Sequence, residues 1–432
     1  MPDRATLLRA RRWLLLGCLA LGVAGIFAGL LGSSKSAYFD TALTLHVDLS
    51  VLVWFLTMAG MFFTLGGQGR GWAALADASF FAFAGGTCLL VASGFTGGEV
   101  YKSNYIPVIY HPVFFLGLAF MFCGILGVAI NLVAGRGGQI MNVQSYGTVS
   151  AGWIMLIALA CFVRSQQALP ADMHGQVYYE YAFWGGGHVL QFAHTQLMLV
   201  AWLWLAEAAG IRIKLSAGQI TVLFFAGLMA MFAAAFVYAV YPPQSGEHRD
   251  AFTLLMKHAN GLAPMVLGIA VIYAALIGPR GKGAGVPKVA LYMSVLLFGV
   301  GGGLGFLIAG SNVTVPAHYH GSIVGITLAF MGVCYLLLPT FGFADVSRSK
   351  LALIQPIIYG GGQLCWMSGM AMLGASGVPR KTAGSADTAG ALAAFLKHGG
   401  DGLALIGGLL FVFVVLRAVY KSKGAKIGQE QI

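Results

Sequence analysis

Residues 315–339 read VPAHYHGSIVGITLAFMGVCYLLLP, an apolar run that opens with two histidines. The run is long enough for one helix to cross a bilayer core, which is about 30 Å thick and needs about 20 apolar residues. His318 and His320 are two positions apart, which is a rotation of about 200° on a helix. Their imidazoles therefore point to nearly opposite faces, so they cannot share one metal ion, but each can hold a separate cofactor.

Apolar segments of this length recur along the whole chain. Of its 432 residues, 58% are hydrophobic and only 9% are charged, which excludes a soluble protein and a nucleic-acid-binding one. The same length criterion predicts twelve membrane spans, at residues 12–32, 41–66, 73–95, 111–134, 146–164, 181–206, 218–241, 251–278, 289–310, 317–340, 353–375 and 399–418. Because no segment remains for a soluble domain, we predict one all-α domain of twelve transmembrane helices over residues 1–432.

The positive charges indicate how the spans are oriented. If the N-terminus is cytoplasmic, most of the 25 lysines and arginines fall on the cytoplasmic side. This bias is typical of membrane proteins, whose cytoplasmic loops are enriched in Lys and Arg. We therefore predict a multi-pass protein of the inner cell membrane with both termini in the cytoplasm, and the net charge of +11 follows from that topology.

Histidines cluster at one predicted depth, near the outer ends of four spans. Ionisable side chains inside a bilayer are costly and mark functional sites. Several at one depth indicate cofactor binding, and a planar macrocycle with an axial imidazole suits a helix bundle. The six cysteines include no C-x-x-C pair, so no covalently attached haem is expected. The histidines concerned are His46, His188, His258, His318 and His320.

Four segments, in order along the chain, resemble catalytic subunit I of the haem-copper oxidase superfamily, which includes cytochrome oxidases and nitric oxide reductases. LTLHVDLSVLVWFL (43–56) is similar to helix two of that subunit, and EYAFWGGGHVLQF (180–192) to the W-x-x-G-H of helix six. Residues 315–339 resemble helix ten, and MAMLGASGVPRK (370–381) resembles the end of helix eleven. The resemblance implies the family's twelve-helix bundle.

The resemblance also implies two haems. His46 and His320 would be the axial ligands of a low-spin haem that relays electrons. His318 would bind a high-spin haem and leave one iron position open for a diatomic ligand. Arg380 with Lys381 would pair with haem propionates through charge-assisted hydrogen bonds.

A second metal, copper or iron, is implied opposite the high-spin haem, with His188 as its ligand. The oxidases complete this site with a His-His pair, expected near residues 240–242, and this chain has none there. Our hypothesis is that His258 replaces the pair, so that His318, His188 and His258 form the catalytic set. Two imidazoles leave the metal under-coordinated, and the candidates for a further ligand are His194, His248, Glu247 and Tyr241.

The substitution of a tyrosine bears on the substrate. Most oxidases place a tyrosine four residues after the helix-six histidine, where it donates an electron and a proton; Phe192 stands there instead. Nitric oxide reductases also lack it, so we favour reduction of NO to N2O, although the glutamate usual in those enzymes is absent.

Gly268 and Leu190 stand where pumping relatives have a lysine and a glutamate, so little or no proton pumping is expected. The alternatives are an O2-reducing terminal oxidase and, more remotely, a non-enzymatic carrier.

Electrons must come from outside this chain. It has no cysteines suited to a copper pair and no c-type haem motif. The expected donor is therefore a partner subunit of cytochrome c or cupredoxin type, or a membrane quinol.

Overall fold

The computed structural model describes residues 2–31, 38–69, 71–135, 141–277, 285–379 and 390–422. These ranges contain twelve long helices and one short hairpin. The helices are α1 (Arg4–Leu30), α2 (Phe39–Gly66), α3 (Ala73–Ser93), α4 (Pro112–Gly135), α5 (Val143–Ala168), α6 (Gly175–Ala208), α7 (Ala217–Val240), α8 (Gly246–Ile277), α9 (Gly285–Phe306), α10 (Thr314–Leu337), α11 (Lys350–Ala375) and α12 (Ala391–Lys421). Strands β1 (Glu99–Tyr101) and β2 (Val108–Tyr110) pair antiparallel between α3 and α4.

Each helix coincides with one predicted span, so the all-α, twelve-helix membrane fold is confirmed. Within the described ranges, eleven of the helices are long and apolar enough to cross a membrane, and the remaining one, α11, has 26 residues. The chain is thus a multi-pass membrane protein. Several helices begin earlier than predicted, because their first turns are polar and extend beyond the hydrocarbon core. α1 begins at Arg4, where Asp3 accepts a hydrogen bond from the Thr6 amide at 2.7 Å and caps the helix.

The chain divides into two compact units, and the prediction of a single domain stays a prediction. The first unit comprises residues 1–200 and 216–263, which hold α1–α5, α7, most of α6 and the first half of α8. In this unit α3 and α4 approach closely at two glycines: a Cβ on Gly86 would lie 2.5 Å from the Gly117 carbonyl oxygen. Small residues allow such contact between transmembrane helices, where no aqueous hydrophobic effect drives packing.

The second unit comprises residues 201–215 and 264–432, with α9–α12. Buried hydrogen bonds connect its helices. The Trp202 indole donates to Ser294 Oγ at 2.7 Å, and Ser294 donates to the Gly325 carbonyl at 2.6 Å. The Gln355 amide donates to the Gly407 carbonyl at 3.1 Å, linking α11 to α12. Because unpaired polar groups are costly in an apolar interior, these pairs specify how the helices pack.

Candidate haem and metal ligands

Three of the five predicted ligand histidines share one hydrogen-bond arrangement. Nδ1 lies 3.0 Å from the Ala24 carbonyl in His46, 2.9 Å from the Trp184 carbonyl in His188, and 2.7 Å from the Gly301 carbonyl in His318. A carbonyl oxygen only accepts, so Nδ1 carries the proton and donates in each case. Nε2 is then the nitrogen with the free lone pair. Metal-binding histidines are usually oriented in this way, because the second hydrogen bond selects the tautomer and holds the ring.

In the first unit, His46 lies on α2 immediately before an irregular turn. Residues Asp48–Val53 form a π-helical segment, which widens the helix and often occurs at functional sites. The Ser50 hydroxyl donates to the His46 carbonyl at 2.6 Å. The His46 ring is partly buried and held against α1 through Ala24. The residues around it therefore fit an axial haem ligand.

Sequence reasoning missed a buried carboxyl group beside His46. Asp48 is only 1% exposed, and neither of its carboxyl oxygens has a hydrogen-bond partner. Thr44, one turn earlier, is also buried, and its hydroxyl oxygen is likewise unpaired. Their spacing of four residues puts both on one face of α2. Two polar residues four apart in an apolar span were the signal that could have identified them.

His188 is buried on α6 and is contacted by a tyrosine that the sequence did not single out. The Tyr105 hydroxyl lies 2.7 Å from Nδ1 of His188 and 3.2 Å from Nε2. Tyr105 belongs to the connection between β1 and β2, which is distant in sequence from α6. Burial raises the pKa of Tyr105 well above its ordinary value, and the Glu180 carboxylate adds to this effect. Tyr105 therefore keeps its proton at neutral pH, and because Nδ1 of His188 is itself a donor, the Tyr105 oxygen accepts at the 2.7 Å contact and leaves Nε2 free.

Three consecutive glycines make room for aromatic rings around His188. A Cβ on Gly185 would collide with the Tyr238 ring and hydroxyl, and one on Gly186 with the Phe162 ring. A Cβ on Gly187 would collide with the Tyr105 ring. The W-G-G-G-H sequence therefore lets three aromatic side chains lie directly against the backbone of α6. Trp184 itself packs on His188, with ring centroids 4.8 Å apart.

We expect Gly187→Ala to displace Tyr105 from His188. The added methyl group overlaps a ring in a packed interior, so the protein should lose about 1–3 kcal/mol of stability. Thermal unfolding of the purified protein in detergent measures this loss. Gly399→Ala is the matched control, because nothing lies within 4 Å of a Cβ there. Equal unfolding temperatures for the two variants would contradict the packing described.

The other candidate ligand histidines of the first unit lie in different surroundings. His258, in the π-helical segment Met256–Asn260 of α8, has an exposed side chain. His194 is buried with its ring 4.9 Å from that of Phe55, and its Nε2 has no hydrogen-bond partner. His248 is completely buried, and both of its ring nitrogens are unpaired. In the ranges that the structure describes, no group of three or more His, Cys, Asp or Glu side chains is arranged to hold a metal ion.

In the second unit, His318 lies against α9. A Cβ on Gly305 would lie 2.8 Å from the His318 ring, so this glycine makes room for the imidazole. Together with the Nδ1 hydrogen bond to Gly301, this contact fits an axial haem ligand. His320 has its ring 4.1 Å from that of Trp366 on α11.

The predicted propionate partners, Arg380 and Lys381, lie outside the described residues. Their chain neighbour Pro379 forms a β-bridge with Asn312, and the Val313 amide donates to the Val378 carbonyl at 3.1 Å. The segment that leads to Arg380 therefore starts beside the first turn of α10, the helix that carries His318.

A solved structure shares this fold. A haem-copper terminal oxidase, determined as a dimer by cryo-EM, superimposes with a TM-score of 0.71 over 100% of this chain and 86% of that chain, at 17% sequence identity. No family model matches the sequence. The chain is 26% identical to an uncharacterized protein of Rickettsia prowazekii (strain Madrid E), over 98% of both chains. It is 24% identical to an uncharacterized protein of Aquifex aeolicus (strain VF5), over 77% of this chain and 85% of that protein. The fold is therefore that of a haem-copper terminal oxidase.

Proposed function

We propose that this chain is the catalytic subunit of a respiratory oxidoreductase of the inner cell membrane that reduces a diatomic gas, with NO favoured over O2. The observation that carries the proposal is the shared orientation of His46, His188 and His318. Each donates from Nδ1 to a backbone carbonyl, which leaves Nε2 for a metal, in a bundle with the fold of a haem-copper terminal oxidase.

The proposed roles follow from these orientations and from the sequence resemblance. His46 would hold a low-spin haem, and His318 would hold a high-spin haem that binds the gas. His188 is a ligand of a second metal, copper or iron. When bound, the haem irons supply electron transfer and gas binding. The chain itself holds each imidazole in the neutral tautomer that can bind a metal, because the carbonyl partner keeps the proton on Nδ1.

The side chain at position 192 supports NO as the substrate. Phe192 is buried on α6 and can donate neither an electron nor a proton. Coupling of two NO molecules to N2O and water needs two protons and two electrons, and two metals can supply the electrons. An outside donor, either a partner subunit or a membrane quinol, would deliver them.

One contact favours the second candidate, an O2-reducing terminal oxidase. The Tyr105 hydroxyl touches His188 and keeps its proton at neutral pH, so it can serve as a proton and electron donor where Phe192 cannot. Tyr105→Phe separates the two candidates, since it removes only the hydroxyl. If O2 is the substrate, O2 consumption should fall by about 100-fold, the usual effect of losing a positioned proton donor. If NO is the substrate, NO consumption should change by less than about twofold, because the two metals supply both electrons of that reaction and its two protons do not have to come from a redox-active phenol.

The direct test is a visible spectrum of the purified protein before and after reduction with dithionite. We expect bands of two non-covalent haems, one low-spin and one high-spin, and a shift of the high-spin bands on adding CO. NO and O2 consumption with an artificial electron donor then identifies the substrate. A folded protein without haem bands would contradict the proposal and would favour a non-enzymatic carrier.

A further inference from the structure

His248 is the most conspicuous unpaired polar side chain of the first unit. It lies in the first turn of α8 and is 0% exposed. Neither of its ring nitrogens has a hydrogen-bond partner. A neutral imidazole has one donor and one acceptor, and leaving both unpaired in a buried site is unfavourable. Such an arrangement in a native protein calls for a bound group that supplies the missing partner.

The side chains around His248 do not supply that partner. Its ring packs between those of Tyr238 and Phe252, at centroid distances of 4.8 and 4.9 Å. The Tyr238 hydroxyl is already used, since it lies 2.7 Å from the Ser165 hydroxyl and donates to the Cys161 carbonyl at 3.2 Å. The position of His248 is nevertheless well determined, because its amide donates to Ser245 Oγ at 3.1 Å in the cap of α8.

His188 is a neighbour of His248 although the two are 60 residues apart in sequence. Both imidazoles pack on the Phe252 ring, with ring centroids 5.9 Å away for His188 and 4.9 Å away for His248. His188 presents Nε2 as its free lone pair, because Nδ1 donates to Trp184. Neutral imidazoles are ligands that suit copper or iron, and His248 is an otherwise unpartnered one beside His188.

We propose that His248, and not His258, is the second protein ligand of the non-haem metal at His188. The inference rests on the proposed function and goes beyond it by assigning this ligand. His258 is ten residues further along α8, which is about 15 Å of helix rise. Metal–nitrogen bonds are about 2 Å long, so one ion cannot bind both imidazoles. His258 is also exposed, and its ring is not among those that contact His188.

The test compares two substitutions, His248→Cys and His248→Ser, whose new side chains are nearly isosteric with each other. A thiolate binds copper and iron, whereas a serine hydroxyl is a poor ligand for either. Non-haem metal is measured by elemental analysis of the purified protein and expressed per haem, with haem quantified as its pyridine complex. We expect about one non-haem metal for two haems in the unmodified protein, at least half of that in His248→Cys, and less than about a tenth in His248→Ser.

His258→Asn is the control, and it should keep the full metal content. Haem content shows that each variant has folded. Metal retained in folded His248→Ser, metal lost in His258→Asn, or metal lost from folded His248→Cys would each overturn the assignment. So would an unmodified protein that holds both haems and no third metal. That result leaves the haem assignments intact, whereas loss of the haem bands themselves contradicts the proposed function.

Discussion

Replacing His318 by alanine should abolish gas reduction. Alanine offers no axial ligand, so the high-spin haem should be absent or displaced, and with it the iron position at which the gas binds. We expect the rate of NO or O2 consumption to fall by about 1000-fold or more, since several kcal/mol of metal-derived stabilisation are lost. The reduced spectrum should keep its low-spin bands and lose the component that shifts on adding CO.

The control for this change is His398→Ala. His398 lies on α12 in the same unit as His318, and its side chain is exposed. Its removal should leave both the spectrum and the rate within about twofold of the unmodified protein, as surface substitutions usually do. A His318→Ala protein with an intact CO-sensitive haem would show that another residue binds the iron.

Replacing His46 by alanine should remove the low-spin haem and leave the high-spin one. In the proposed function the low-spin haem relays electrons and does not bind the gas, so the variant should still bind CO when reduced chemically. Steady-state turnover with a physiological donor should fall by about 100-fold or more, because electrons no longer reach the gas-binding iron efficiently. A combination of lost turnover and retained CO binding distinguishes this variant from His318→Ala.

Ser50→Ala tests whether the effect is specific to the imidazole. Ser50 lies one turn after His46, and its hydroxyl donates only to the His46 carbonyl. Its removal should cost about 1 kcal/mol or less and should leave the low-spin bands unchanged. Loss of those bands in Ser50→Ala would mean that the π-helical segment, rather than the ligand itself, determines haem binding.

The fold was predictable from hydropathy to within a few residues at most helix ends. Every predicted span is a helix, because a chain in a bilayer must satisfy its backbone hydrogen bonds within each segment. The largest differences are at the starts of α1 and α12. The first turns of α1 are polar, whereas in α12 the apolar residues 391–396 are followed by Lys397 and His398, so hydropathy places the start of the span later. The hairpin of β1 and β2 was not predicted either, because its three-residue strands are too short to show a periodic pattern.

The candidate site was predictable only in part. His46, His188 and His318 stood out because ionisable residues in apolar spans are rare. Their common tautomer could not be predicted from the sequence, because it depends on three backbone carbonyl groups. Two of these carbonyl groups lie on other helices. Tyr105 was beyond sequence reasoning, and His248 was one of four candidate ligands that the sequence could not rank, because the neighbours of both side chains are brought together by helix packing.

Composition and spacing were thus enough to establish a membrane bundle of twelve helices and the histidines that its interior carries, because the cost of placing a polar group in lipid acts on each segment separately. Which nitrogen of each ring is free, which tyrosine touches His188 and which buried imidazole has no partner depend on contacts between segments far apart in the chain. Such contacts arise only when the helices pack. Hydrogen bonds act over about 3 Å, so they cannot be predicted from the order of residues alone.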